Sequence, residues 1–180
     1  YLIQELIQKL TEALIEPDER AFAVGRYDLA ETPIDAVIEE AETLPFLSPR
    51  KLVIASSAAF LTGAKESAKV EHNLDRLTAY LKSPVDFTVL VLTVQADKLD
   101  ERKKIVKALK EANALIPCGV LGEGELTQWL QQQAAKAGFT FAPGVAEQLI
   151  QYAGTSLQTL EKEVEKCSLY IGRGGTLTEA

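Results

Sequence analysis

Apolar residues recur along the early part of the chain with two different spacings. In "YLIQELIQKLTEALI" they stand at positions 2, 3, 6, 7, 10 and 14, which predicts a helix with one buried face. "KLVIAS" (51–56) and "FTVLVLTV" (87–94) are instead continuous apolar runs, as expected for strands covered on both faces. We also predict strands over "RAFAVGRYDL" (20–29) and "NALIPC" (113–118).

Helical patterns separate these strands. "TPIDAVIEEAETL" predicts a helix with Thr32 as its cap, Pro33 in the first turn and an inward stripe formed by Ile34, Val37, Ile38 and Ala41. "KVEHNLDRLTAYLKS" and "DKLDERKKIVKALKEA" follow, the second with Ile105, Val106 and Leu109 inward. Alternating strands and helices predict an α/β domain whose parallel sheet is flanked by helices on both faces.

The character of the chain changes near Leu121 to Gly124. Three helical patterns separated by glycine follow, with no strand predicted among them: "GEGELTQWLQQQAAKAG", "APGVAEQLIQYAG" and "SLQTLEKEVEKCSLYIG". Trp129 and Leu130 are predicted to face the core of this part. We therefore divide the chain into an α/β domain over 1–121 and a small helical domain over 122–180.

Composition places the chain among ordinary globular proteins, with 47% hydrophobic and 25% charged residues. It contains no apolar run near the roughly 20 residues that cross a bilayer, and no signal-peptide pattern opens it, so we expect a cytoplasmic protein without a membrane partner. The net charge of −7 disfavours non-specific adhesion of the whole chain to nucleic acid. Any contact with DNA must then be local.

Residues suited to nucleophilic catalysis or metal binding are few. Cys118, Cys167 and His72 are too far apart in sequence for a zinc motif, and the two cysteines are predicted to be buried thiols. His72 is predicted to be a solvated helix residue. The glutamates of "LEKEVEKC" are spaced by two, which spreads them around a helix. We predict no catalytic residues, no metal site and no cofactor.

An α/β domain followed by helices suggests an ATPase, and the chain lacks the motifs of that class. A G-x-x-x-x-G-K-[ST] loop, which would hold the phosphates, does not occur in it. Ser56 and Ser57 follow the strand "KLVIA" where acidic residues would hold magnesium.

Two surface features stand out. The turn before the strand "KLVIAS" is apolar at Leu44, Pro45, Phe46 and Leu47, although turns usually run over the surface and are polar. It either presents apolar side chains to a partner or folds back onto the domain's own core. Six basic residues, Lys98, Arg102, Lys103, Lys104, Lys107 and Lys110, fall in one helical segment of an acidic chain. Among them Arg102, Lys103, Lys107 and Lys110 are candidates for facing DNA, and the alternative is a solvated outer face.

Taken together, these segments resemble the delta subunit family of the bacterial DNA polymerase III clamp loader, of the Gram-positive type. The resemblance rests on "YLIQEL", "AETLPFLSPRKLVI", "FTVLVLTVQADKLDERKKIVKALKE", "ELTQWLQQQAAKAG" and "LQTLEKEVEKCSLYIG", in this order over nearly the whole chain. It implies an AAA+-like α/β domain and a helical lid domain. The family's first strand and degenerate phosphate loop are expected upstream of Tyr1, and its collar domain downstream of Ala180.

The resemblance also implies a function. Members of the family do not hydrolyse ATP; they bind the ring-shaped sliding clamp (beta subunit) through an apolar wedge and open one ring interface. The matching residues are Pro45 and Phe46, flanked by Leu44 and Leu47, with Pro45 where the family often has leucine. The implied partners are the clamp, the delta prime and tau or gamma subunits through the collar, and DNA within an assembly that has DNA-directed DNA polymerase activity.

Two other functions remain open on the sequence. The chain could be an active ATPase module whose phosphate loop lies upstream of Tyr1. It could also be a two-domain interaction protein unrelated to replication, in which case residues 44–47 should be buried within the chain itself. For a chain without a collar, the resemblance implies a monomer.

Overall fold

The structure, a computed structural model, describes residues 1–63, 70–119 and 121–178. The chain separates into two compact units, one formed by Leu2–Cys118 and the other by Gly119–Ala180 together with Tyr1. Within the described residues, no helix is both long and apolar enough to span a membrane.

The first unit alternates helices and strands. Its elements in chain order are α1 Leu2–Leu14, α2 Arg20–Ala23, β1 Val24–Asp28, α3 Ile34–Glu42, β2 Lys51–Ser56, a 3₁₀ turn at Ala59–Leu61, α4 Leu74–Lys82, β3 Thr88–Leu92 and α5 Lys104–Glu111. The three strands form one parallel sheet in the order β1-β2-β3. The predicted α/β fold with a parallel sheet is confirmed.

Both faces of the central strand β2 are covered, as its continuous apolar sequence predicts. Val53 and Ala55 pack with residues of α3, α4 and α5 on one face. Leu52 and Ile54 pack with α1 and α2 on the other. Because successive side chains of a strand point to opposite faces, one unbroken apolar run supplies both layers of core.

Two predicted elements have different bounds. Residues 20–23, predicted as the start of a strand, form the helical turn α2, and β1 begins only at Val24. Residue Pro33, not Thr32, is the N-cap of α3. The sequence pattern predicts both elements but not the residue at which each begins. Over four residues, the apolar pattern of one helical turn cannot be distinguished from that of a strand end.

The predicted strand over 113–118 is wrong. Asn113 ends α5 in the left-handed conformation, with a φ of 50°, and the amide of Ala114 bonds back to the carbonyl of Leu109 at 2.9 Å. Beyond it, the segment makes no ladder with any strand in the described parts of the chain. An apolar segment becomes a strand only where another strand offers it hydrogen bonds.

The second unit is mainly helical. It contains α6 Glu123–Ala137, β4 Thr140–Phe141, α7 Val145–Ala153, α8 Leu157–Ile171 and β5 Thr176–Leu177. Trp129 and Leu130 lie in its core, as predicted. The prediction of no strand here is wrong, because β4 and β5 form a short parallel pair. Glu161 accepts the Tyr1 hydroxyl at 2.8 Å.

Both cysteines are half-buried, not buried as predicted. Burial is still sufficient to raise the pKa of the Cys167 thiol, and the negative charge of Glu163 adds to this effect. The neutral thiol is therefore favoured at Cys167.

Candidate functional site

The apolar turn between α3 and β2 is exposed to solvent. We call residues Leu44, Pro45, Phe46 and Leu47 the apolar tip. Leu44 is 74% exposed, Phe46 75% and Leu47 69%, while Pro45 is half-buried. The alternative in which these side chains fold back onto the core is therefore wrong for the three largest of them.

The tip follows directly from a helix that is fixed along its inner side. The predicted inward stripe of α3, formed by Ile34, Val37, Ile38 and Ala41, is fully buried. At the end of the helix, the amide of Thr43 bonds to the carbonyl of Glu39 at 3.0 Å, and the Thr43 hydroxyl donates to the same carbonyl at 2.8 Å. The helix thus ends in place just before Leu44.

A buried lysine joins the two sides of the turn. Lys51, the first residue of β2, is 5% exposed, and its Nζ donates to Glu40 of α3 at 2.9 Å. A lysine that is buried to this degree needs a charged partner. The pair therefore holds the last turn of α3 to the start of β2, on either side of the tip.

A second contact holds the turn to α2. The Ser48 hydroxyl lies 2.6 Å from Oε2 of Glu19 and 2.7 Å from the carbonyl oxygen of Arg50. A hydroxyl has one hydrogen, and the carboxylate is the shorter and stronger acceptor. The residue after the tip is thereby attached to the helical turn that precedes β1.

The start of α3 is capped by a residue from a distant part of the chain. Its own N-cap, Pro33, has no side-chain acceptor, and Nδ1 of His72 accepts the Ile34 amide at 3.1 Å. The prediction that His72 is a solvated helix residue is wrong. It precedes α4, is half-buried, and its ring centroid lies 5.0 Å from that of Phe60.

Leu47 adopts an unusual backbone conformation. Its φ of 59° lies in the left-handed region, which a leucine rarely occupies. The conformation costs about 1–2 kcal/mol for a residue with a Cβ atom. Backbone strain of this kind clusters at binding and catalytic sites, which makes this exposed apolar turn a candidate binding site.

At the carboxyl edge of the sheet, polar groups already bond to one another. The Ser56 hydroxyl donates to the carbonyl of Tyr27 at 3.2 Å. Hydrogen bonds from the Ala30 amide and the Ser57 hydroxyl lower the pKa of Asp28. Within the described residues, no group of three or more His, Cys, Asp or Glu side chains is arranged to hold a metal ion.

The four candidate DNA-facing residues do not form one free surface. Arg102 makes two 2.9 Å bonds to Asp100, Nζ of Lys103 donates to the carbonyl of Phe60 at 2.8 Å, and Lys110 pairs with Glu101. Lys107 is exposed, as is Lys104. Three of the four candidates thus bond to groups within the chain itself.

Known proteins resemble this chain over nearly its whole length. The family model described as "DNA polymerase III, delta subunit" matches residues 1–119. The chain belongs to the DNA polymerase III delta subunit family. It is 36% identical over 172 residues to DNA polymerase III subunit delta of Bacillus subtilis (strain 168), which covers 96% of this chain and 50% of that protein.

A solved structure supports the same assignment for the delta-family chain. The Bacillus subtilis DNA clamp loader delta protein superposes with a TM-score of 0.84 at 35% identity, over 99% of this chain and 52% of that one. The chain thus spans about half the length of the relatives that it matches.

The apolar tip is visible in the sequence, whereas the contacts that hold it are not. Glu19 and Ser48 are ordinary polar residues 29 positions apart, and nothing local marks them as partners. The sequence pattern identifies Lys51 only as the first residue of a strand. The one available signal was a charged residue opening an otherwise apolar run, since such a lysine must find a partner once the strand is buried.

Proposed function

We propose that this chain acts as the delta subunit of a DNA polymerase III clamp loader and binds the sliding clamp through the apolar tip. The observation that carries the proposal is the exposure of Leu44, Phe46 and Leu47 at the end of a buried helix. Membership of the delta family supports the identity of the partner. The polymerase assembly supplies the chemistry, and this chain is its non-catalytic part.

The tip has the composition of an interface anchor. Burying one leucine or phenylalanine side chain in a partner stabilises a complex by roughly 1.5–3 kcal/mol. A few such residues commonly dominate a protein interface. Leu44, Phe46 and Leu47 together can therefore supply most of the binding free energy, with Pro45 restricting the backbone between them.

The contacts at both ends of the apolar tip lower the entropic cost of binding. Lys51 and Glu40 join its two ends, and Ser48 and Glu19 attach it to α2. Side chains carried on a backbone that is already ordered lose less freedom when they dock. These contacts support an apolar tip that docks on its partner without a change in its own backbone.

Ring opening follows from differential binding. A ligand shifts a closed ring toward an open one only if it binds the open form more tightly. A rigid wedge inserted beside a ring interface has this property, because it fits the distorted interface better than the closed one. The step requires no covalent chemistry. ATP hydrolysed by the partner subunits would time the exposure of the wedge.

We extend the proposal to the architecture. Residues 1–121 form an AAA+-like domain and residues 122–180 its helical lid. Delta prime and tau or gamma subunits join it through a collar outside this sequence. Ser56 and Ser57 support a module without ATP hydrolysis of its own, since they stand where carboxylates would hold magnesium.

The test is a calorimetric titration of the chain against a purified bacterial sliding clamp. Leu44→Ser combined with Phe46→Ser should weaken binding by well over tenfold, given two lost anchors. Leu169→Ser combined with Tyr170→Ser is the matched control, because these residues are 86% and 88% exposed in the other unit. Circular dichroism checks each fold. If the tip variant binds as tightly as the parent, the proposed function is wrong.

DNA contact within the assembly is a separate part of the proposal, made for Arg102, Lys103, Lys107 and Lys110. Lys107 is the residue best placed for it, since the other three bond to neighbouring groups. In an assembled loader, Lys107→Gln should weaken DNA binding and make it less dependent on salt by about one counterion. The control is Lys162→Gln, an exposed lysine of α8. Equal salt dependence in the parent and Lys107→Gln would remove this residue from the DNA surface.

A further inference from the structure

A large aromatic side chain outside the apolar tip is also exposed to solvent. Phe22, in α2, is 47% exposed. It lies three residues after Glu19, whose carbonyl accepts the Phe22 amide at 3.1 Å. Residues three apart share one side of a helix. The side of α2 that carries Glu19, and with it the bond to Ser48, therefore also carries Phe22.

The register of the sheet brings the start of β1 beside the start of β2. Val24 of β1 is paired with Leu52 of β2 in a parallel ladder. Phe22 precedes Val24 by two residues, and Arg50 precedes Leu52 by two. Neighbouring strands are about 4.8 Å apart, so the segments that lead into them start side by side at the amino edge of the sheet.

The third strand has an aromatic residue at the same edge. Phe87 directly precedes β3, its carbonyl accepts the Lys51 amide at 2.9 Å, and it is half-buried. A phenylalanine comes before each of the three strands of this sheet, one residue before β3 at Phe87, two before β1 at Phe22 and five before β2 at Phe46. Phe22 and Phe46 are the exposed ones among these three. Single exposed apolar residues are common on proteins, whereas contiguous ones indicate a binding surface.

We infer that Phe22 is a second anchor for the sliding clamp, which extends the docking surface from the apolar tip across the amino edge of the sheet to α2. The inference rests on the proposed function. The clamp is the partner because α2, which carries Phe22, is connected to the apolar tip through the Glu19 to Ser48 bond. This bond attaches the residue after the tip to the helical turn that carries Phe22.

The test compares variants at position 22 in the same calorimetric titration. Phe22→Ser should weaken clamp binding by about tenfold, the effect of losing one partly buried anchor. Phe22→Leu keeps an apolar side chain and should recover most of the affinity. Tyr152→Ser is the matched control, because Tyr152 is an 80% exposed aromatic residue of the other unit. Urea denaturation confirms that each variant is folded.

A crosslinking measurement covers the case in which Phe22→Ser fails to fold. The photoreactive analogue p-benzoylphenylalanine at position 22 keeps an aromatic ring there and should form a covalent adduct with the clamp on illumination. The same analogue at position 152 should not. Absence of an adduct from position 22, or equal affinity of the parent and a folded Phe22→Ser, would overturn the inference.

The outcomes separate the two proposals. If Leu44→Ser with Phe46→Ser abolishes binding and Phe22→Ser leaves it unchanged, the tip alone binds the clamp and only the second anchor is wrong. If the tip variant binds like the parent, the proposed function fails, and the second anchor fails with it.

Discussion

Ser48 donates its hydroxyl hydrogen to the carboxylate of Glu19 at 2.6 Å, across 29 positions of the chain. The bond links the turn before β2 to the turn before β1. It is charge-assisted and short, the kind of hydrogen bond that contributes most to local order. The apolar tip is therefore attached at both ends, through Ser48 on one side and the last turn of α3 on the other.

Ser48→Ala should lower both stability and clamp affinity. Loss of a hydrogen bond to a charged acceptor costs about 1.5–3 kcal/mol at most, and less here because the site is partly solvated. The greater freedom of the tip should weaken clamp binding by a few-fold without removing any apolar contact. Urea denaturation and calorimetry measure the two effects. Ser168→Ala is the control, since its hydroxyl donates to the carbonyl of Glu165 in its own helix. A similar loss of affinity there would contradict the explanation.

Leu47→Asn should separate stability from binding. Asparagine tolerates the left-handed conformation far better than leucine, so the free energy of unfolding should stay unchanged or rise by up to about 1 kcal/mol. The affinity for the clamp should fall, because an exposed apolar side chain is lost from the tip. Chemical denaturation and calorimetry on the same preparation test both. A clear loss of stability would mean that the φ of 59° at Leu47 is not strained.

His72→Ala should destabilise the first unit by about 1–2 kcal/mol. The change leaves the Ile34 amide at the start of α3 without its acceptor, and lost N-caps cost amounts of this size. It also removes the ring contact with Phe60. Glu71→Ala, at the exposed neighbouring position, is the control for urea denaturation. Equal stability of the two variants would show that water replaces the histidine as a cap.

Arg102 should control the titration of Asp100. The bonds from Arg102 lower the pKa of Asp100 from 3.8 to about 2. A folded pKa below the unfolded value stabilises the protein above pH 3.8, and the stabilisation is lost as the pH falls from 3.8 toward 2. In Arg102→Gln, the pKa of Asp100 should rise toward 3.8, which carboxyl-detected NMR measures. Lys98→Gln is the control. A parent Asp100 that titrates near 3.8 would contradict the prediction.

The features that could be predicted are those encoded within a few residues. The strands at 51–56 and 88–92 follow from continuous apolar runs. The inward stripes of α3 and α5 follow from helical periodicity. The features that could not be predicted depend on distant partners. The local pattern predicts His72 within a helix. It gives no sign that the His72 side chain caps another helix, whose first residue lies 38 positions away. The segment 113–118 read as a strand because its composition does not reveal whether a neighbouring strand exists.

The sequence alone determined the α/β class, the approximate elements and the presence of an apolar turn at Leu44 to Leu47. Each of these follows from the spacing of apolar residues and the residue types within one segment. Only the tertiary structure decided that this turn is exposed, that Lys51 and Ser48 attach its ends to α3 and α2, and that Phe22 of α2 is exposed as well. Exposure and adjacency are set by which other segments arrive nearby. In a parallel sheet, segments far apart in sequence lie next to one another at one edge. A local sequence pattern does not show which segments these are.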